Sequence, residues 1–144
     1  MTLDLSLLAL VSLRNIGALV TIKRDGRPQL STVNFAFDPA AALVRISVVD
    51  GRAKVHNLRR DPRASVYVTS HDGWTYAVLE GDVELSPVAA APDDDTVEEL
   101  VEVYRLIRGT DHPDWAEYRA AMVADRRLVA RLHVQRAYGL AGEH

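Results

Sequence analysis

The sequence predicts a mainly-β (α+β) domain: five or six antiparallel strands closing into a barrel, with short helices inserted. Three observations carry this. Short segments of alternating apolar and polar residues recur along the chain, and such alternation marks half-buried strands. Asp-Gly and Asp-Pro pairs punctuate them. Helical spacing of apolar residues is confined to brief stretches. An antiparallel sheet of this kind removes its exposed edges by closing.

The elements follow in order. Leu5 to Leu13 is an apolar run after Asp4. It lacks a basic leading segment, so it does not read as a signal peptide, and it is too short to span a bilayer. A first helix with one buried face is the expectation. Ile16 to Lys23 is rich in β-branched and aliphatic residues and reads as a strand. Arg24-Asp25-Gly26-Arg27 is a turn, because Asp-Gly supplies the positive φ of a tight hairpin. Gln29 to Phe37 returns as a second strand, ended by Asp38-Pro39, and Leu43 to Val49 alternates as a third.

After Asp50-Gly51, Ala53 to Arg60 reads as a helix with Val55 and Leu58 on one face. Asp61-Pro62 closes it, since the residue before proline avoids the α region. Ala64 to Ser70 is a fourth strand. Tyr76 to Ser86 is a fifth, with Gly81 marking a bulge. "SPVAAAPDDD" is a linker. Thr96 to Ile107 is a strong helix, with Val97, Leu100, Val101, Tyr104 and Ile107 at helical spacing and Gly109 at its end. Trp115 to Asp125 is another helix, and Leu128 to Tyr138 a closing strand. The strands are expected in meander order. Residues 1–144 form a single domain, with no repeat and no second unit.

Composition narrows the function. The chain has 144 residues, enough for one real core, and 48% hydrophobic with 26% charged residues is globular. It contains no cysteine, which excludes disulfides, thiolate nucleophiles and thiolate metal sites. A reducing cytoplasm is the expected location. The five histidines, His56, His71, His112, His133 and His144, show no metal-ligand spacing, so no metal is expected. No nucleophile elbow, phosphate-binding loop or dinucleotide fingerprint occurs, and no catalytic acid or base stands out. His71 and Tyr76 are proton donors only in that they can titrate or donate. If the chain is an enzyme, a bound cofactor carries the chemistry.

Charge is uneven. Between Arg14 and Arg63 ten Lys/Arg face four Asp/Glu; between Ala64 and Tyr104 none face ten. The whole chain carries net charge −3, which argues against a nucleic-acid binder and for a small anionic ligand. The densest basic stretch is "DGRAKVHNLRRDPRASV". Arg59, Arg60 and Arg63 fall at a helix C-terminus, where cations suit the dipole, and need no ligand. Arg52 and Lys54 fall at the N-terminus, where cations are unfavourable unless an anion binds there. Ser47 on the preceding strand and Asn57 on the same helix face would join them. Two readings of this end stand from the residues alone: an anion site, or a solvated surface helix with Asp50 as N-cap. Lys23, Arg24 and Arg27 at the hairpin tip read as solubilising charge, or as second contacts for a long polyanion. Trp74 and Tyr76 are candidates to wall an aromatic ring.

Three segments, "IGALVTIKRDGRPQLSTVNFAFD", "RISVVDGRAKVHNLRRDPRASVYV" and "DGWTYAVLEGDVELS", resemble the pyridoxamine 5′-phosphate oxidase-like flavoproteins. They are closest to the actinobacterial branch that uses the deazaflavin coenzyme F-420. The resemblance runs from Leu5 to Leu140. It implies a six-stranded split β-barrel and a homodimer with cofactor sites at the interface. It implies that Arg52, Lys54 and Asn57 hold the coenzyme phosphate, with Ser47, Gln29 and Ser31 beside the ring. Trp74 would approach the ring, and Lys23 or Arg27 the oligoglutamate tail. The implied reaction is hydride transfer from the reduced deazaflavin to a small organic acceptor. Alternatives are an FMN-dependent oxidase or reductase of the same fold, or a noncatalytic deazaflavin carrier. No membrane or nucleic-acid partner is implied.

Overall fold

The structure is a computed structural model and describes residues 3–141; His144 lies outside them. Helix α1 (Leu5–Ser12) precedes strands β1 (Ile16–Ile22), β2 (Pro28–Asn34), β3 (Ala36–Asp38) and β4 (Leu43–Val49). Helix α2 (Ala53–Arg60) leads to β5 (Arg63–Thr69) and β6 (Tyr76–Leu85). Helices α3 (Asp95–Arg108) and α4 (Trp115–Ala124) precede β7 (Arg127–Leu140). Every expected element is present within two residues of its expected bounds, with one exception.

The expected strand Gln29–Phe37 is two strands. β2 pairs with β1 along its whole length, whereas β3 pairs with β4. The break falls at Phe35, which is 1% exposed. Its ring is driven into the core, and its N–H donates to the Asn15 carbonyl at 2.9 Å. The strand count is therefore seven rather than six. The sheet order is β2-β1-β5-β6-β7-β4-β3. It begins and ends on two strands that a single residue joins, so the sheet curls back on itself.

The order is not a meander. β4 lies beside β7, and β5 lies beside β1. Helix α2 carries the chain between these two regions of the sheet. Its Val55 and Leu58 are buried among barrel residues from β1, β4, β5, β6 and β7. Burial of both apolar side chains fixes the height of α2 against the barrel. Expected alternation thus gave the strands correctly but not their neighbours, because the crossover is a tertiary event.

The anticipated irregularity at Gly81 is real. The β6–β7 register shifts between Glu80 and Gly81, so that Gln135 is skipped on β7. A Cβ on Gly81 would lie 1.9 Å from the His133 carbonyl oxygen. Only glycine permits that approach.

α3 and α4 pack as a hairpin on the far side of β7. Val97, Leu100, Val101 and Met122 form a second apolar cluster with Val129 and Ala89. Asp94 caps α3 by accepting from Val97 N–H at 2.9 Å, and Gly109 ends it in the left-handed region (φ +74°). Arg45 and Arg131 pair with Glu99, tying α3 to β4 and β7.

Because the Gly81 approach is to main chain, Gly81→Ala must displace the ladder. A loss of about 1–3 kcal/mol is expected. It would be read as a fall of several degrees in Tm, with α3 and α4 helicity retained by circular dichroism.

Candidate functional site

Two of the cavities among the described residues are candidates. One, of about 440 Å³, lies between Val20, Ser65, Glu80, Asp82 and Arg136 on the outer sheet face. Its charge is mixed, and Arg63 at its rim is already paired to Asp61. The other, of about 390 Å³, sits where β2, β4, the first turn of α2, α3, α4 and the start of β7 converge. That size suits a small molecule. It is lined by Thr32, Val33 and Asn34, by Ser47, Lys54 and Arg127, and by a wall from the α3–α4 hairpin.

This second cavity has an uncompensated positive end. Neither Lys54 nor Arg127 has a carboxylate partner among the described residues. Arg127 Nη1 donates to Ser47 Oγ at 3.3 Å, but its Nε is buried without any partner. Burial holds the Lys54 ammonium below its usual pKa, and the nearby Arg52 and Arg127 charges lower it further. A buried donor left unmade costs free energy, and like charges held together cost more. An anion bridging Lys54 and Arg127 would remove both penalties. Arg52 is the N-cap of α2 and makes no side-chain cap bond, so the N–H groups of that first turn add to the same potential.

The rest of the basic stretch is occupied structurally. Arg59 and Arg126 both pair with Asp50 (2.9 and 2.8 Å). Asp50 is therefore a bridge between α2 and the α4–β7 turn, not an N-cap. Arg60 donates to the Ile22 carbonyl at 2.6 Å and to Asn57 Oδ1 at 3.3 Å. Arg63 pairs with Asp61, whose carboxyl it holds down to about 2.

Among the other expected site residues, Ser47 and Lys54 line the cavity and Arg52 flanks it. Asn57 does not reach it. It is 7% exposed, and its amide donates to Thr21 Oγ1 (3.1 Å) and to Gln29 Oε1 (2.6 Å). Asn57 and Gln29 thus lock α2 onto β1 and β2 and position Lys54 indirectly. Ser31 is half-buried on the same β2 face as Gln29, beside but not in the lining. Lys23 and Arg27 are exposed at the hairpin tip. Trp74 is 65% exposed in the β5–β6 turn, away from this cavity. His71 and Tyr76 are also remote: His71 meets Arg14 (2.7 Å) and Tyr76 packs at a tilt against Tyr67.

Sequence reasoning missed Arg127 and the α3–α4 wall. Arg127 stands at the first position of a strand, four places before another arginine that is fully paired, and nothing local distinguishes the two. The wall is Val103, Tyr104, Ile107 and Arg108 of α3 with Tyr118 and Met122 of α4. Tyr104 and Tyr118 sit 5.1 Å apart, edge to face, next to His112 and Trp115. Tyr118 OH donates to the Leu100 carbonyl, and burial raises its pKa to about 12. It is a fixed neutral wall, not a proton donor near pH 7. Among the described residues no group of three or more acidic, His or Cys side chains is placed to hold a metal.

A family model described as pyridoxamine 5′-phosphate oxidase matches residues 5–141. The chain belongs to the pyridoxamine 5′-phosphate oxidase family. Solved structures agree on the fold. A conserved hypothetical protein from Mycobacterium tuberculosis aligns with TM-score 0.75 at 21% identity, over 98% of this chain and 86% of that one. An F-420 reductase aligns with TM-score 0.66 at 22% identity, over 90% and 94%. An FAD-binding protein from Mesorhizobium loti aligns with TM-score 0.67 at 19% identity, over 96% and 93%. The family's split barrel is therefore the fold of this chain, with seven strands.

Lys54 is held against repulsion, so Lys54→Met should leave Tm unchanged or raise it. Inorganic phosphate should raise the Tm of the unsubstituted chain, and the same substitution should abolish that rise. A calorimetric scan with and without phosphate checks both.

Proposed function

We propose that the chain is an oxidoreductase that binds coenzyme F-420 and transfers a hydride between its deazaflavin and a small organic acceptor. The observation that carries this is the buried, partnerless Arg127 Nε beside an unpaired Lys54, in a cavity walled by tyrosines. That donor set fits a phosphate-bearing planar coenzyme. Lys54, Arg127 and Arg52 would hold the phosphate, Ser47 orienting the Arg127 fork, and Tyr104 and Tyr118 would exclude water from the ring. The coenzyme supplies the hydride chemistry when bound; the chain's residues bind, orient and shield it. The likeness to an F-420 reductase supports the deazaflavin over FMN. FMN is the second reading, since it carries a phosphate on a ring of similar shape and the similar Mesorhizobium protein is named for FAD.

The proposal includes a homodimer. One straight row crosses five strands on the outer face: Thr32, Ala18, Tyr67, Val78 and Tyr138. Leu30, Val20 and Leu140 lie beside it on the same face. Leu30, Tyr67, Tyr138 and Leu140 are exposed large hydrophobics, and a second copy is what such a face suits. Trp74, remote from its own cavity, and the Lys23 and Arg27 pair would then serve the site through the partner or the coenzyme tail.

Fluorescence titration with F-420 and, separately, FMN tests the cofactor reading. Lys54→Ala and Arg127→Ala should each weaken binding of the preferred coenzyme at least ~10-fold, the scale of a charge-assisted bond. Arg63→Ala should not. Binding of neither coenzyme sinks the reading. Anaerobic oxidation of the reduced coenzyme with quinone, enone and nitroimidazole acceptors separates an enzyme from a carrier. Val78→Lys should convert the dimer to monomer in sedimentation equilibrium.

A further inference from the structure

The two cations of the candidate anion end stand on different elements. Lys54 lies in the first turn of α2, and Arg127 opens β7. The Arg127 charge is among the causes that hold the Lys54 pKa down, so the two repel. Unless their elements are held, such cations move apart. Val55 and Leu58 seat α2 on the barrel, and the Asn57 amide bonds it to Thr21 and Gln29. Those bonds locate α2 against β1 and β2. They do not reach the α4–β7 turn, which sets where Arg127 stands.

Asp50 spans that distance. Its Oδ1 accepts from Arg59 Nη2 at 2.9 Å and its Oδ2 from Arg126 Nη2 at 2.8 Å. Arg59 is on the same helix as Lys54, and Arg126 immediately precedes Arg127. Asp50 N–H also donates to the Arg126 carbonyl at 2.9 Å. Arg126 has φ +55°, in the left-handed region that favours glycine. Such a residue persists only where its surroundings over-determine it, and Asp50 holds this one by main chain and side chain together. The Arg126 and Arg59 guanidiniums keep the Asp50 carboxyl below the usual carboxylate range, so it is ionised at neutral pH. Among the described residues, Asp50 is the one carboxylate ion-paired to any of Arg52, Lys54, Arg59, Arg126 and Arg127. Arg59 and Arg126 are exposed, and exposed ion pairs add little stability. Geometry is what this pair of bonds supplies.

We propose that Asp50 is a positioning residue for the anion end. One oxygen clasps α2, the other clasps the α4–β7 turn, and together they set the spacing of Lys54 and Arg127 before a phosphate arrives. Asp50 is not in the cavity lining, so it acts through the two arginines and not on the ligand. The inference rests on the coenzyme reading above and says what keeps its phosphate contacts in register. Spacing fixed in advance strengthens binding by cutting the ordering that binding would otherwise demand. Positioning and bare electrostatics predict opposite signs. Asp50 is a negative charge beside a site for a negative ligand. If only its field mattered, removing it would tighten anion binding. If it positions, removing it loosens anion binding. Asp50→Asn is close to isosteric: the amide oxygen accepts from one arginine, and the amide nitrogen meets the other donor to donor.

The experiment titrates the full chain, by fluorescence, with FMN and riboflavin and with F-420 and the deazariboflavin that lacks its phosphate and tail. Thermal unfolding with and without inorganic phosphate runs alongside. The quantity read is the phosphate preference, the affinity of a phosphate-bearing ring over the bare ring. Asp50→Asn should cut that preference ~10-fold, the scale on which groups that orient ligating side chains matter. It should leave bare-ring affinity unchanged and shrink the phosphate rise in Tm. General loss of structure would weaken both ring forms together. An unchanged or increased preference in Asp50→Asn overturns the proposal and leaves the proposed function standing. Arg59→Met and Arg126→Met each cut one arm of the clasp, and they decide the matter if Asp50→Asn does not fold. One severed arm already frees the spacing, so their effects on the preference should not add, whereas two independent field effects would. Additive losses overturn the proposal. If the wild type binds neither coenzyme, the coenzyme reading fails, and the phosphate rise in Tm decides this inference alone: a rise that Asp50→Asn diminishes upholds it, and no rise, or an undiminished one, sinks it.

Discussion

Main-chain hydrogen bonding is the constraint on which this molecule depends. Seven strands satisfy one another in a curled sheet whose first and last members are joined by one residue, Phe35. The chain changes partner there because the Phe35 side chain belongs in the core. From that point β3 continues the sheet along β4 for three residues and stops. Beyond it two edges stay open. Every other feature of the candidate site is arranged around that failure to close: α2 begins at one end of it, and the α3–α4 hairpin covers it.

The electrostatics divide along the same line. Around the opening, Asp50, Glu99 and Glu102 answer Arg59, Arg126, Arg131 and Arg45. Each of those pairs ties elements together. Lys54 and Arg127 alone among the cavity's deeper cations are left facing each other. Asn57, which the sequence places with them, is used differently. Its buried amide connects Thr21, Gln29 and Arg60, so the helix that presents Lys54 cannot shift without breaking bonds on two strands. Burial and hydrogen bonds thus hold a repulsive arrangement in place.

Much of the fold was legible because it is local. The Asp-Gly hairpin, the Asp-Pro stops, the α3 periodicity and the Gly81 irregularity each follow from a few adjacent residues. Neighbour order was not, because which strand lies beside β5 depends on where α2 lands. The break at Phe35 was missed since alternation continues through it; only the change of partner reveals it. For the site, Lys54 and Ser47 were found from helix-end physics and the family pattern. Arg127 could not be distinguished in sequence from Arg131, as their difference lies in whether Glu99 is within reach. Tyr104 and Tyr118 were legible as helix residues but not as a wall, because the second helix had to be folded against the first.

The hairpin that sets the register of β2 has a consequence for how such a chain can change over generations. A substitution at Thr32 or Asn34 alters a side chain and leaves the pairing with β1 where it is. A single inserted or deleted residue between Gly26 and Leu30 would not. It would turn every side chain of the strand to the opposite face, carrying Val33 out of the core. This short stretch should therefore tolerate drift in identity far better than drift in length, and two descendants could lose nearly all resemblance across it yet keep the same loop size.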